Sequence, residues 1–390
     1  MLNVECRDIQ HSTFNTMETR RWRDYNWPLL LCVAVLLIIG VLALYSATLT
    51  AVAVNGAPLR TIFPRQIVYI IIGLGVMLLM TIFDYRLLSS LARPIYIGMI
   101  GLLAAVLVIG QVSEGAQSWI AFGERTFQPS EAGKLVLVVA LAAYWGRYED
   151  RRDSWPVQLG GLLIASAPML LVLLQPDLGS AIVYGMIWLV MAWGAGVRWQ
   201  QLLLLAVLAL PAGYVAWELV LDDYQRVRLL TFYYLLVDPS KVDFNAGYNV
   251  IQALSAISAG GWVGAGLTHG LFSQGNYVPV QHTDFIFAVV GEELGFLGAL
   301  VLITFEGLLL WQSLTVAGRS RDLFGRLLAL GVFAIIFTHV LINIGMNLSV
   351  LPVTGLPLPF ISAGGSFMIT ILAGVGLLQS VALRRKRLAF

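Results

Sequence analysis

Apolar residues recur along this chain in runs long enough to cross a membrane, divided by shorter polar segments. A helix rises 1.5 Å per residue, so about 20 apolar residues cover the ~30 Å hydrocarbon layer of a bilayer. Ten such runs can be marked, roughly at 27–48, 66–83, 90–112, 129–146, 157–174, 178–197, 200–220, 286–316, 325–349 and 366–383. The connections between them are short except after the seventh, where roughly 65 residues intervene. The pattern therefore predicts an all-α integral membrane protein of about ten transmembrane helices, with one long loop between spans seven and eight. The expected organisation is a polar tail over 1–26, a polytopic membrane domain over 27–383 with the long loop at about 221–285, and a basic tail over 384–390. The first segment lacks the apolar core of a signal peptide and reads as retained.

Composition agrees. Of 390 residues, 58% are hydrophobic and 12% charged, where soluble domains average about 25% charged. Mean hydropathy is +0.82. Lys and Arg orient the spans. With a cytoplasmic amino terminus, roughly 17 of the basic residues fall on the inner side and about 7 on the outer. Both termini are therefore expected inside, and the long loop outside. The formal charge of +2 reflects topology anchors and implies no nucleic acid. Cys6 and Cys32 suggest neither a disulfide nor zinc spacing.

With that orientation the unusual residues gather at the outer side. Asp284 lies at the lip of an apolar run, in Gln281-His282-Thr283-Asp284-Phe285-Ile286-Phe287. A charge there is costly unless it is paired or faces a wet cavity. Glu131 and Lys134 follow Pro129, which suits a first helical turn, and their three-residue spacing puts both on one helix face. They read either as a structural ion pair or as the charged wall of a cavity. Asp177, in a tight turn, reads as a helix N-cap or as an orienting group or ion ligand. Arg226 and Arg228 in the long loop are surface anchors or pyrophosphate partners. The glycines from Gly260 to Gly266 permit tight turns and close backbone approach, as a phosphate nest or a re-entrant turn would need. They lack the preceding strand and the closing Lys-Ser/Thr of a nucleotide loop. Pro352 to Gly365 predicts an ordered non-helical segment lining a cavity. His269 and His282 read as ordinary polar residues rather than zinc ligands.

Four blocks occur together: Gln128-Pro129-Ser130-Glu131 with Lys134; Gln175-Pro176-Asp177-Leu178-Gly179; His282 to Ala288 with Gly291-Glu292-Glu293-Leu294-Gly295; and Gly355 to Ser362 with Gly364-Gly365-Ser366. In this order they resemble the signature blocks of the SEDS family (shape, elongation, division, sporulation). Gly355-Leu356-Pro357-Leu358-Pro359-Phe360 looks more like the elongation branch, RodA, than the division branch, FtsW. The resemblance implies a ten-span peptidoglycan glycosyltransferase in the cytoplasmic (inner) membrane that polymerises lipid II during cell-wall elongation. It implies inversion at the anomeric carbon and an undecaprenyl-diphosphate leaving group. A class B penicillin-binding protein would supply transpeptidation, alongside other elongation proteins. Asp284 matches the family's essential aspartate, Glu131 and Lys134 its fourth-span ion pair, Asp177 its loop acid and Arg65 its basic residue at the second span. Three positions depart from the family pattern, none expected to touch the base: Ser118 for a common arginine, Val280 for a frequent glutamate, Ala363 for the usual tyrosine.

The chemistry needs one base. The attacking sugar hydroxyl loses its proton as the new bond forms, a task expected of Asp284. The diphosphate leaves unprotonated if its charge is screened by Arg65, Lys134, Arg226, Arg228 or a divalent cation, Mg or Mn. No organic cofactor is expected. The rival reading is a lipid II flippase, which wants polar groups at the midplane rather than gathered at one face; a scaffold would leave Asp284 without a purpose.

Overall fold

The computed structural model describes residues 25–50, 61–113, 116–122, 125–219, 223–238 and 244–384. Of the expected tails, residues 1–24 and 385–390 lie outside these. Each of the ten apolar runs coincides with one long helix: α1 (Trp27–Leu49), α2 (Ile62–Ile82), α3 (Leu87–Ile109), α4 (Pro129–Arg147), α5 (Trp155–Leu173), α6 (Leu178–Ala195) and α7 (Trp199–Leu219). The long connection holds α8 (Asp223–Val237), α9 (Phe244–Gly260) and the single turn α10 (Leu271–Gln274), before α11 (Ile286–Gly318), α12 (Leu323–Asn347) and α13 (Gly365–Leu383). Eight of these helices are long and apolar enough to cross a membrane, which makes the chain a multi-pass membrane protein. α4 is not among the eight; Pro129, Ser130, Glu131 and Lys134 lower the hydropathy of its first two turns.

Enclosure is uneven. In α12 and α13, 72% and 83% of the apolar window is buried, against 17% and 22% in α2 and α3. α12 is the hub, in contact with α4, α6, α11 and α13, while α2 lies along α13. Helices that shed most of their surface onto neighbours form the core; those that keep it outward face lipid.

The sequence reading is corrected in two places. The third apolar run extends to about 112 in the sequence, but α3 ends at Ile109, and Gln111–Ser113, Ala116–Phe122 and Arg125–Phe127 pair as a three-stranded antiparallel sheet, β1 to β3. The long connection expected as a loop is largely helical; α9 packs on α11, and Ala253, Ala256, Val278, Phe285 and Ala288 form a small apolar cluster of their own.

α11 is broken at Gly295, whose φ of +67° and ψ of −168° no side-chain-bearing residue adopts without strain. The glycine segment 260–266 fills the break. Ala265 and Gly266 N–H donate to the carbonyls of Glu292 and Glu293 (2.9 and 3.0 Å), and Phe296 N–H donates to Gly261 (2.9 Å). A Cβ on Gly264 would collide with the Glu293 carbonyl oxygen. Those glycines are spent on the chain's own backbone, as a close approach within the protein. The segment from Leu348 to Gly364 is non-helical and largely buried from Leu356 to Ala363, as Pro352 to Gly365 predicted.

Candidate active site and family

Asp284 is the last residue but one before α11, and its backbone is tied from three sides. Its carbonyl accepts from Asn343 Nδ2 and Asn347 Nδ2, both at 3.0 Å. The neighbouring Thr283 carbonyl accepts from Ser362 Oγ (2.6 Å), and His282 accepts from the Ala363 N–H (2.9 Å). Asn343 also donates to the Leu356 carbonyl (2.8 Å). α12 and the proline-rich segment thus fix where the half-buried carboxylate sits; buried polar groups so satisfied specify one geometry.

Asp284 lines three hollows, of about 130, 270 and 100 Å³, that meet at its side chain. Their walls come from β2 (Ser118, Trp119), α4 (Gln128, Glu131), the start of α6 (Asp177, Ser180), α8 (Gln225, Arg228, Thr231), α9 (Asn249) and the segments around Val353, Gly355 and Gly364. Several polar atoms in these walls are buried and have no hydrogen-bond partner among the described residues: Glu131 Oε2, Ser118 Oγ and Thr354 Oγ1. Such groups are costly unless something binds them.

Glu131 and Lys134 form an ion pair of 2.7 Å, with Lys134 fully buried. Lys134 Nζ also lies 3.1 Å from His339 Nε2, and His339 Nδ1 lies 3.0 Å from the Pro357 carbonyl. With Nδ1–H donating to Pro357, Nε2 is left to accept from lysine. The imidazole stacks on Phe367. Glu131 lines the hollow and Lys134 does not. Asp177 caps α6 by accepting from Ser180 N–H (2.9 Å), accepts from Gln128 Nε2 (3.1 Å), and lines the cavity.

The arginines differ. Arg228 lines two of the hollows. Arg226 turns to α7 and donates to the Glu218 carbonyl (3.0 Å). Arg65 is exposed on the first turn of α2; its neighbour Gln66 is buried and clamps the glycine pair, donating to Ser362 O and accepting from Gly364 N–H. Glu292 and Glu293, both buried, hold α10: Glu292 accepts from the N–H groups of Phe272 and Ser273, and Glu293 from Ser46 Oγ, Ser273 Oγ and Gln274 Nε2. Outside the membrane-spanning segments, burial pushes the His282 imidazole below its ordinary value.

The cell cycle protein family FtsW/RodA/SpoVE matches residues 26–387. The chain belongs to this family. It is 38% identical to the peptidoglycan glycosyltransferase MrdB of Escherichia coli K12, over 91% of this chain and 94% of that one. It is 35% identical to the probable peptidoglycan glycosyltransferase FtsW of Geobacter metallireducens, over 93% and 96%. A solved peptidoglycan synthase complex holds a chain that superposes with a TM-score of 0.79 at 34% identity, covering 93% of this chain and 99% of that one. In this FtsW/RodA/SpoVE member the three departures all share hollows with Asp284: Ser118, Val280 and Ala363. Sequence reasoning passed over His339, Asn343 and Asn347, although polar residues four apart on an apolar span mark one helix face.

Proposed function

We propose that this chain is a peptidoglycan glycosyltransferase of the elongation type, polymerising lipid II at the outer face of the bacterial cell membrane with Asp284 as general base. The observation that carries the reading is the convergence of Asp284, Asp177, Arg228 and several unspent polar atoms on one cavity at the end of the bundle. Sugars offer hydroxyl and amide groups to such atoms, and their lipid tails remain in the bilayer beside the helices. A carboxylate within reach of the attacking 4-hydroxyl accepts its proton, a contribution of about 10²–10⁴-fold. The leaving diphosphate needs only charge screening. Of the cations named from sequence, Arg228 supplies that screening in this reading, because it lines two of the hollows that Asp284 lines.

A divalent cation also fits the donor set. Magnesium is commonly held by one or two carboxylates plus substrate phosphates, and Asp177 and Asp284 line one hollow. When bound it would screen the diphosphate. Both termini are cytoplasmic in this reading, and a class B penicillin-binding protein is the transpeptidase partner. The higher identity to MrdB than to FtsW supports the elongation branch.

The test is to supply purified protein with lipid II in detergent. Glycan strands longer than the disaccharide are expected without added partner or with a class B penicillin-binding protein. Lipid II crossing proteoliposome membranes with no polymer in either condition would instead make the chain a flippase.

A further inference from the structure

A second built recess lies at the opposite end of the bundle. α4 begins at the Asp284 cavity and ends at Arg147; α3 runs the other way, with Arg93 near its start. Between them and α5 is a cleft of about 150 Å³ that includes Arg93, Tyr96, Tyr144, Arg147 and Tyr148 in its lining. None of these takes part in the site above. Arg93 and Arg147 are exposed and make no ion pair or hydrogen bond among the described residues. Glu149 and Asp150 follow in the next turn, yet neither lines the cleft. Tyr96 donates its hydroxyl to the Ile164 carbonyl (2.8 Å), which braces α3 against α5 and leaves the phenol oxygen able to accept.

We propose that this cleft binds the phosphate of an anionic phospholipid in the leaflet opposite the glycosyltransferase cavity. Two unspent guanidinium forks flanking one recess match a phosphate's oxygens, since arginine holds oxyanions bidentately. Arg93 lies six residues into α3, about 9 Å along its axis, where a long side chain snorkels to the headgroup level. Lipid, rather than a soluble phosphate, is the source because apolar surface continues from the cleft. Ile97, one turn beyond Arg93, and Leu163, beside Ile164, are each 69% exposed and offer acyl chains a path. Basic pockets between transmembrane helices on the cytoplasmic side bind lipid headgroups by this same combination. The proposal does not rest on the glycosyltransferase reading, and its test reads no enzymatic activity.

The test uses native mass spectrometry of the full-length protein titrated with phosphatidylglycerol or phosphatidylcholine. One phosphatidylglycerol should be retained under conditions that strip phosphatidylcholine. The R93Q/R147Q double variant should bind it about 30-fold more weakly, while R198Q, at the same end of the bundle, should match wild type. Should the double variant not elute as a single species, R93K/R147K carries the test, with severalfold weaker retention expected from losing the forks alone. Equal retention of the two lipids, or wild-type retention by the double variant, overturns the proposal. So does displacement of the lipid by glycerol phosphate at matched concentration, or tighter capture of a polyglutamate peptide, which would make the occupant soluble or a protein.

Discussion

Two ion pairs mark the two ends of the helix bundle. At the cavity end, Lys134 and Glu131 meet at 2.7 Å with almost no exposure; at the other, Arg198 and Asp153 meet at 3.0 Å with side chains 66% and 45% exposed. The distances are alike and the consequences are not. The exposed pair is solvated whether or not it forms, so it contributes little and serves as anchorage. The buried pair has no water to fall back on, and its lysine leans on His339, which in turn holds the Pro357 carbonyl beside the cavity. The Lys134–Glu131 charge is therefore part of a shape, whereas the Arg198–Asp153 charge faces headgroups and water.

The largest break in that contrast should come from K134M. Leaving Glu131 buried and uncompensated is expected to cost about 3–5 kcal/mol, read as a fall in thermal midpoint of the purified protein. K134M combined with E131L should recover much of that stability without recovering polymerisation, if Glu131 Oε2 contacts substrate. Next is N343A, which removes donors to the Asp284 and Leu356 carbonyls. A loss of about 1–3 kcal/mol is expected, with a drop in polymerisation rate exceeding what the unfolded fraction explains. A smaller, pH-dependent effect belongs to His282. Burial lowers its proton affinity in the folded chain, so the unfolded chain binds that proton more readily. Its contribution is complete above about pH 6.5 and is lost as pH falls below that value. Melting at pH 7.5 and 5.5 should show it, and H282Q should flatten the difference. D153N, at the exposed pair, should leave the melting curve unchanged within error.

The sequence made the helices legible because a lipid-spanning segment must be apolar throughout, and all ten runs hold a helix. Glu131, Lys134, Asp177 and Asp284 were legible as rare charges at membrane depth or in unusual turns, and Arg228 as a cation of the long connection. Other features depended on tertiary contact. The sheet from Gln111 to Phe127 has strands of three and seven residues, too short to stand out beside a long apolar run. α9 could have been read: Val250, Ala253, Leu254 and Ile257 follow helical spacing, masked by an assumption that the whole segment was a loop. Arg65 came from the family resemblance, and nothing in the apolar pattern singled out its neighbour Gln66, whose amide is bound to Ser362 and Gly364. The glycine cluster could not be assigned from sequence, because its partner is the break at Gly295, some 30 residues away.

The role of Asp284 is tested most directly by D284N, assayed for glycan polymerisation from purified lipid II alongside lipid II binding and thermal midpoint. An unchanged midpoint, retained binding and a rate lower by about 10²–10⁴-fold are expected. Polymerisation by the folded variant at the wild-type rate would remove the carboxylate from the proton transfer and contradict the account.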